Sequence, residues 1–285
     1  MSSSRNGPGR RRSRRWLIAA LLLGASTPAW FAAAALGSRF GVWDWRFGLG
    51  VMTRDLGNYV GLAAIVALIF LLVRAVRARS TAAAFVTALA IAPPFAVLWS
   101  FADARRQSDL LPPIYDVQTD WSAPISFSAA ALAERAAANA NPVNDTAAIA
   151  ADDRRTRWAG RSFARAQHEA YPDIAPILLQ LGEEQAAAAV TEVASRQPRW
   201  ESVRVVGLDN GRQLEFTATT FWYGLVDDVA VRAVGHADGR SRIDVRSVGR
   251  EGHIDLGMHA QRIRAFRAAL FETLADCTVR CSDAD

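Results

Sequence analysis

The sequence predicts an α+β fold on a membrane anchor: three N-terminal transmembrane helices followed by an antiparallel sheet with two helices on one face. Three observations predict it. Apolar runs crowd into residues 16–101, each about as long as a bilayer is thick. Short runs between 203 and 248 alternate apolar with polar residues, the period of a half-buried strand. Two stretches, 183–196 and 255–274, repeat apolar residues at helical spacing.

The first apolar run, 16–36, follows Arg10, Arg11, Arg12, Arg14 and Arg15. The second, 57–73, is ended by Arg74, Arg77 and Arg79. The third, 81–101, is interrupted by Pro93-Pro94, which a span tolerates where neighbours satisfy the freed carbonyls. Basic clusters stay in the cytoplasm, so residues 1–15 and the 74–79 loop are predicted inside. The 37–56 loop, with Trp43 and Trp45 as interfacial anchors, then lies outside. The transmembrane region is 16–101, and its third span delivers 102–285 as an extracytoplasmic domain. The expected location is a bacterial inner membrane, with that domain in the periplasm. Ser13-Arg14-Arg15-Trp16-Leu17 also reads as a twin-arginine export signal, but two further spans follow, which fits an uncleaved first span.

The 285 residues include 33 arginines and no lysine, with a net charge of +5. Through Phe101, 12 arginines face 2 acids; from Ala102 onward, 21 face 26. The basic character belongs to the membrane end, and the domain is net acidic, so a nucleic-acid partner loses its main support. The lipid bilayer is the partner that the anchor implies. Cys277 and Cys281 form neither a four-ligand zinc site nor a disulfide framework; in an oxidising compartment they could pair with each other.

In the domain, Leu214, Phe216 and Ala218 alternate with Glu215, Thr217 and Thr219. Asn210-Gly211 precedes them and predicts a two-residue type I′ turn, pairing Val205 with Phe216 and Val203 with Ala218. The next hairpin joins 229–234 to 242–248 across Asp238-Gly239. A two-residue turn there would pair Ala233 with Asp244 and mix the faces. A three-residue loop, 237–239 with Gly239 left-handed, pairs Val231 with Val245 and Ala233 with Ile243, and sets Arg232 opposite Asp244 with Arg246 beside them. Upstream, Pro112-Pro113 opens an alternating edge strand within 111–120. Residues 126–170 are Ala-rich and broken by Asn139, Asn141, Pro142 and Asn144, which predicts a short helix at 129–138 and then a polar segment. Helix 183–196 has acids in its first turn and Pro198 after its end. Asp255 is the expected N-cap of a helix whose buried stripe is Leu256, Ala260, Ile263, Phe266, Leu270 and Leu274.

The chemistry-bearing groups are few. Arg232, Asp244 and Arg246 share a face, as an ion-pair ladder or as a polar binding surface. Arg250, in Gly249-Arg250-Glu251-Gly252 before a helix start, could hold an anion with the free amides, against the charge of Glu251 and Asp255. Asp227 and Asp228 are adjacent in sequence, so they would point to opposite faces and not chelate one ion; a solvated turn is the expectation. His253, Asp255 and His259 have ligand chemistry, but Asp255 serves better as a cap and a fourth ligand is missing. No metal or cofactor is predicted. Ser247 has no His and acid placed as a triad, so no catalytic residue is assigned.

The run Thr220-Phe221-Trp222-Tyr223-Gly224, then Asp227-Asp228, Val231-Arg232, Ile243-Asp244-Val245-Arg246-Ser247, Asp255-Leu256-Gly257 and Arg262-Ile263-Arg264 resemble the domain of unknown function 1499 family. Pro113-Ile114-Tyr115-Asp116-Val117-Gln118-Thr119-Asp120 and Tyr171-Pro172-Asp173-Ile174 resemble its opening segments. The resemblance covers 111–274. Gly249 stands where that pattern has Ser, and His259 where it has Asn. The family implies no established activity. The candidate binding residues are Arg232, Asp244, Arg246, Arg250 and Arg262. The functional expectation is a non-enzymatic binding or envelope-assembly module whose partner is an envelope protein or an anionic ligand. The alternative is a hydrolase or metal-dependent enzyme using the polar sheet face.

Overall fold

A computed structural model describes residues 8–252 and 255–282. The chain forms two compact units, one built mainly from residues up to Arg106 and the other mainly from Gln107 onward.

The first unit contains α1 (Pro8–Arg39), a π-helical segment (Arg46–Asp55), α2 (Gly57–Arg77), α3 (Thr81–Ala90) and the start of α4 (Ala92–Leu110). Among the described residues, three stretches are long and apolar enough to cross a membrane: Arg15–Arg39, Gly57–Arg77 and Thr81–Leu110. At about 1.5 Å per residue, even the shortest covers about 30 Å. The third is α3 and α4 in series. It breaks at Ile91 because Pro93 and Pro94 carry no amide hydrogen for the helical ladder. Large apolar side chains such as Leu22, Val66, Phe70 and Phe85 point outward, while Ala20, Leu68 and Ala90 pack inside. That inversion of the usual burial suits an apolar solvent. The 37–56 stretch is not the open loop expected. Much of it is the π-helical segment, and indole nitrogens occupy nearby carbonyls: Trp43 Nε1 donates to Ala34 at 3.1 Å and Trp30 Nε1 to Met52 at 2.9 Å.

The second unit contains β1 (Asp116–Gln118), α5 (Ala129–Ala137), α6 (Phe163–Ala170), β2 (Ile177–Leu179), α7 (Glu183–Arg196), β3 (Trp200–Leu208), β4 (Gly211–Thr219), β5 (Val226–Gly235), β6 (Ser241–Gly249) and α8 (Met258–Ser282). The sheet is antiparallel in the order β1-β6-β5-β4-β3, and β2 pairs farther along the same outer edge of β6 as β1. Helices α7 and α8 cover one face. Ala186, Val190, Val193, Ala260, Ile263, Phe266 and Leu270 pack there against Leu214, Phe216, Val229, Val231, Ile243 and Val245. Trp200 stacks on Phe266, with ring centroids 6.0 Å apart. Elements α6 and β2 have eight and three residues, too few to register as a period in sequence.

The β5–β6 hairpin has the expected register: Val231 opposite Val245, Arg232 opposite Asp244, and Ala233 opposite Ile243. His236 N–H donates to Arg240 at 2.8 Å across a loop in which Gly239 is left-handed. The β3–β4 hairpin differs from expectation. Its turn is Asp209-Asn210, with neither residue left-handed, and Val205 lies opposite Leu214 instead of Phe216. A bulge between Ser202 and Arg204 then puts Trp200, not Val203, opposite Ala218. From Arg204 to Leu208 the slip is by two residues, so side chains there keep their faces; the bulge adds a third, and from Ser202 back to Trp200 the parity of the strand is reversed. Gly211 serves a different purpose from the one its sequence context suggests. A Cβ there would lie 2.1 Å from the Ala233 carbonyl oxygen on β5.

Asp255 caps α8, but from ahead of the N-cap position. Its carboxylate accepts the Gly257 and His259 amides, each at 2.9 Å, while Leu256 and Gly257 turn left-handed between them. That turn ejects Leu256 from the expected stripe and leaves it 40% exposed. His253 and the side chains of Val203, Cys277 and Cys281 lie outside the described residues.

Because the strand backbone of β5 closes on Gly211, Gly211→Ala should destabilise the domain by about 1–3 kcal/mol in denaturant melts, the range for overpacking. A neutral substitution would show that the β4–β5 approach is looser than described.

Candidate functional site

Strand alternation divides the β4–β6 side chains between two faces. Away from α7 and α8 project Gln213 and Glu215 of β4, Asp228, Ala230 and Arg232 of β5, and Arg242, Asp244, Arg246 and Val248 of β6. This face is not open. The chain from Trp121 to Asp145 lies over it, with Ile125, Phe127 and Ala131 packed on Ala230 and Val248.

Arg246 is the centre of this face and is fully buried. Its Nε and Nη2 grip both oxygens of Asp116 on β1 at 3.0 and 2.6 Å. Its Nη1 donates to the Ile125 carbonyl at 2.6 Å and reaches the Asp145 carboxylate at 2.7 Å. Burial pushes the Asp116 carboxyl above its ordinary value, with the Arg246 hydrogen bonds acting in the other direction. To one side, Asp244 takes Arg232 Nη2 at 2.9 Å, Arg242 Nε and Nη2 at 2.9–3.1 Å, and the Thr119 hydroxyl at 3.2 Å. Arg242 also holds Asp120 at 2.5 Å. The Ser122 hydroxyl and Arg242 together keep the Asp120 carboxyl well below the usual carboxylate range. To the other side, Asp228 pairs with Arg135 of α5 and with Arg250, whose Nε and Nη2 lie 2.8 and 2.6 Å away. Near the β3 edge, Glu215 accepts the Ser128 amide at 2.6 Å and Arg204 at 3.2 Å.

Arg262 belongs to the opposite face. From α8 its Nη2 reaches Asp227 at 2.5 Å and its Nη1 reaches the Ser247 hydroxyl at 2.7 Å. His259 Nδ1 lies 2.9 Å from Ser247 Oγ and 3.0 Å from Arg262 Nη1. A guanidinium only donates, so Nδ1 is the acceptor. The Ser–His contact is thus present, but the acid is bound to Arg262 instead of the imidazole, and Ser247 and His259 are buried. The arrangement fastens α8 to β5 and β6. Gly249 borders this cluster: a Cβ there would lie 3.3 Å from His259 Nε2.

The five candidate residues therefore fall into two groups. Arg232, Asp244 and Arg246 share the covered face, with Arg250 at its end, and Arg262 lies behind the sheet. Asp227 and Asp228 do point to opposite faces, but neither occupies a solvated turn. Both are in β5, are buried, and are ion-paired. The Asp255 carboxylate takes main-chain amides at the start of α8, including that of His259, while the His259 ring faces Ser247 and Arg262. Sequence reasoning missed Asp116, Arg135, Glu215 and Arg242. Asp116 had a signal, since it lies with Thr119 and Asp120 in the opening motif. Arg135, on an Ala-rich helix, had none.

Arg246→Ala should destabilise the domain by about 3–5 kcal/mol, because Asp116 is left buried without its partner. Arg232→Ala should cost about 1 kcal/mol or less, because Asp244 keeps Arg242 and Thr119 and Arg232 is partly solvated. Denaturant melts of the two variants check the ranking, and equal small losses would contradict the buried network.

No curated protein and no solved structure matches the chain. The sequence profile of the family described as "Protein of unknown function (DUF1499)" matches residues 116–270, from the carboxylate that grips Arg246 to the last buried leucine of α8. That match takes in more than half of the chain, and the protein belongs to this family.

Proposed function

We propose that the protein is an extracytoplasmic module anchored in a bacterial inner membrane, and that its periplasmic domain binds an envelope protein or an anionic ligand without catalysing a reaction. The observation that carries this reading is the state of the charged face. Its arginines and carboxylates neutralise one another beneath a polypeptide cover, an arrangement suited to holding a shape and poorly suited to acid–base or nucleophilic chemistry on a substrate. The orientation rests on the arginines before the first span and after the second, which favour the cytoplasm and send the third span outward. The alternative, a hydrolase or metal-dependent enzyme using the polar sheet face, is disfavoured because the carboxylates of that face are buried in ion pairs. The Ser247–His259 contact lies on the other face, and its burial and the diversion of Asp227 to Arg262 count against hydrolysis there too.

Two measurements on the full chain test the proposal. A reporter that matures only outside the cytoplasm should be active when fused after Asp285 and inactive in the 74–79 loop; the reverse pattern overturns the orientation. Native mass spectrometry from lipid nanodiscs should release the chain with a lipid, peptide or small anion. A stoichiometric metal ion, or turnover of ester or amide substrates, would overturn the non-enzymatic reading.

A further inference from the structure

The cover meets the sheet in an unusual way. Between Ala123 and Ser128, five main-chain groups are bound by side chains that rise from the sheet. Arg232 Nη2 donates to the Ala123 carbonyl at 2.8 Å, and Arg246 Nη1 donates to the Ile125 carbonyl at 2.6 Å. Gln213 Nε2 donates to the Ser126 carbonyl at 2.9 Å. In the other direction, the Ile125 amide donates to Gln118 Oε1 at 3.2 Å and the Ser128 amide to Glu215 Oε1 at 2.6 Å. Donors and acceptors come from β1, β4, β5 and β6, so the segment is held across most of the sheet without belonging to any ladder.

Such bonds read a backbone and are indifferent to its side chains. Selectivity comes from two places only. Ile125 and Phe127 are buried, while Ala123 and Ser126 are exposed, so the segment presents apolar anchors at alternate positions. Their floor is Ala230 and Val248, an apolar pair within a mostly charged and polar face. This is the pattern by which proteins take up extended peptides: main-chain hydrogen bonds for affinity and small apolar seats at every second residue for selectivity. The face beneath remains charged when bare, so it is one that water can wet when the segment lifts.

We propose that this face is a binding site for extended polypeptide, occupied in cis by residues 123–128, and that a segment of another envelope protein with apolar residues at alternate positions takes the same seat when the cover leaves. The chain's own segment is then an autoinhibitory ligand. Arg232, Arg246, Gln213, Gln118 and Glu215 are its binding residues. This inference rests on the binding reading above and names the partner's chemical class.

The test uses the full chain in lipid nanodiscs and a fluorescein-labelled peptide that copies residues 121–129. Ile125→Ser combined with Phe127→Ser removes the anchors in cis. The double variant should bind the peptide about tenfold or more tighter than the parent chain, whose own segment competes, and a peptide with both anchors changed to serine should not bind. Binding by the double variant that is no better than that of the anchorless peptide overturns the proposal. Amide hydrogen exchange on the parent chain decides the matter even if the double variant does not fold. The amides of Ile125 and Ser128 should exchange about tenfold or more faster than those of Val231 and Val245, because the cover opens while the sheet stays intact. Equal protection overturns the proposal. A failure here leaves the broader binding reading to the native mass spectrometry result, whereas a metal ion or turnover in that experiment removes both.

Discussion

The ion pair between Arg246 and Asp116 is the contact on which the rest of the domain depends. A guanidinium removed from water is tolerable only when its donors are satisfied, and here they are met by a carboxylate on β1, a carbonyl in the cover and a second carboxylate at Asp145. Three points of the chain, each more than about a hundred residues before Arg246, are thereby fixed to the middle of β6. The three-residue strand β1 would contribute little as a strand alone. It closes the sheet edge because its first residue carries the carboxylate that Arg246 requires.

The two faces of the sheet are held by different physics. On the α7 and α8 side, apolar area does most of the work, and one polar cluster, Asp227 with Arg262, Ser247 and His259, sets the position of the helix. On the covered side the apolar cluster is small, and charge-assisted hydrogen bonds fix geometry more than they add stability. Adjacent residues of one strand divide this labour. Asp227 faces the helix and pairs with Arg262, and Asp228 faces the cover and pairs with Arg135 and Arg250. Either aspartate alone would be an ordinary buried carboxylate; together they couple the start of α8 to the end of α5.

How much of this was legible in the sequence depended on whether a period or a parity could carry it. The β5–β6 register was legible because a wrong loop length would have paired Ala233 with Asp244. The β3–β4 register was not. A slip of two residues preserves the faces between Arg204 and Leu208, the bulge before Arg204 leaves no periodic mark, and Gly211 answers to the nearby Ala233 carbonyl, which sequence cannot display. The stripe of α8 was legible except at Leu256, which the Asp255 turn displaces. The shared face of Arg232, Asp244 and Arg246 followed from strand alternation, but their partners did not. Asp116 and Arg246 are 130 residues apart, and the cover binds largely through its backbone, with two apolar side chains, Ile125 and Phe127, too few to read as a period.

Arg246 and Asp116 act as one buried unit. A double-mutant cycle on the full chain, with Arg246→Met, Asp116→Leu and both together, measures this directly by denaturant unfolding. A coupling energy of about 2–3 kcal/mol is expected, with the double variant recovering much of what each single variant loses. Additive losses, with coupling below about 0.5 kcal/mol, would contradict the account.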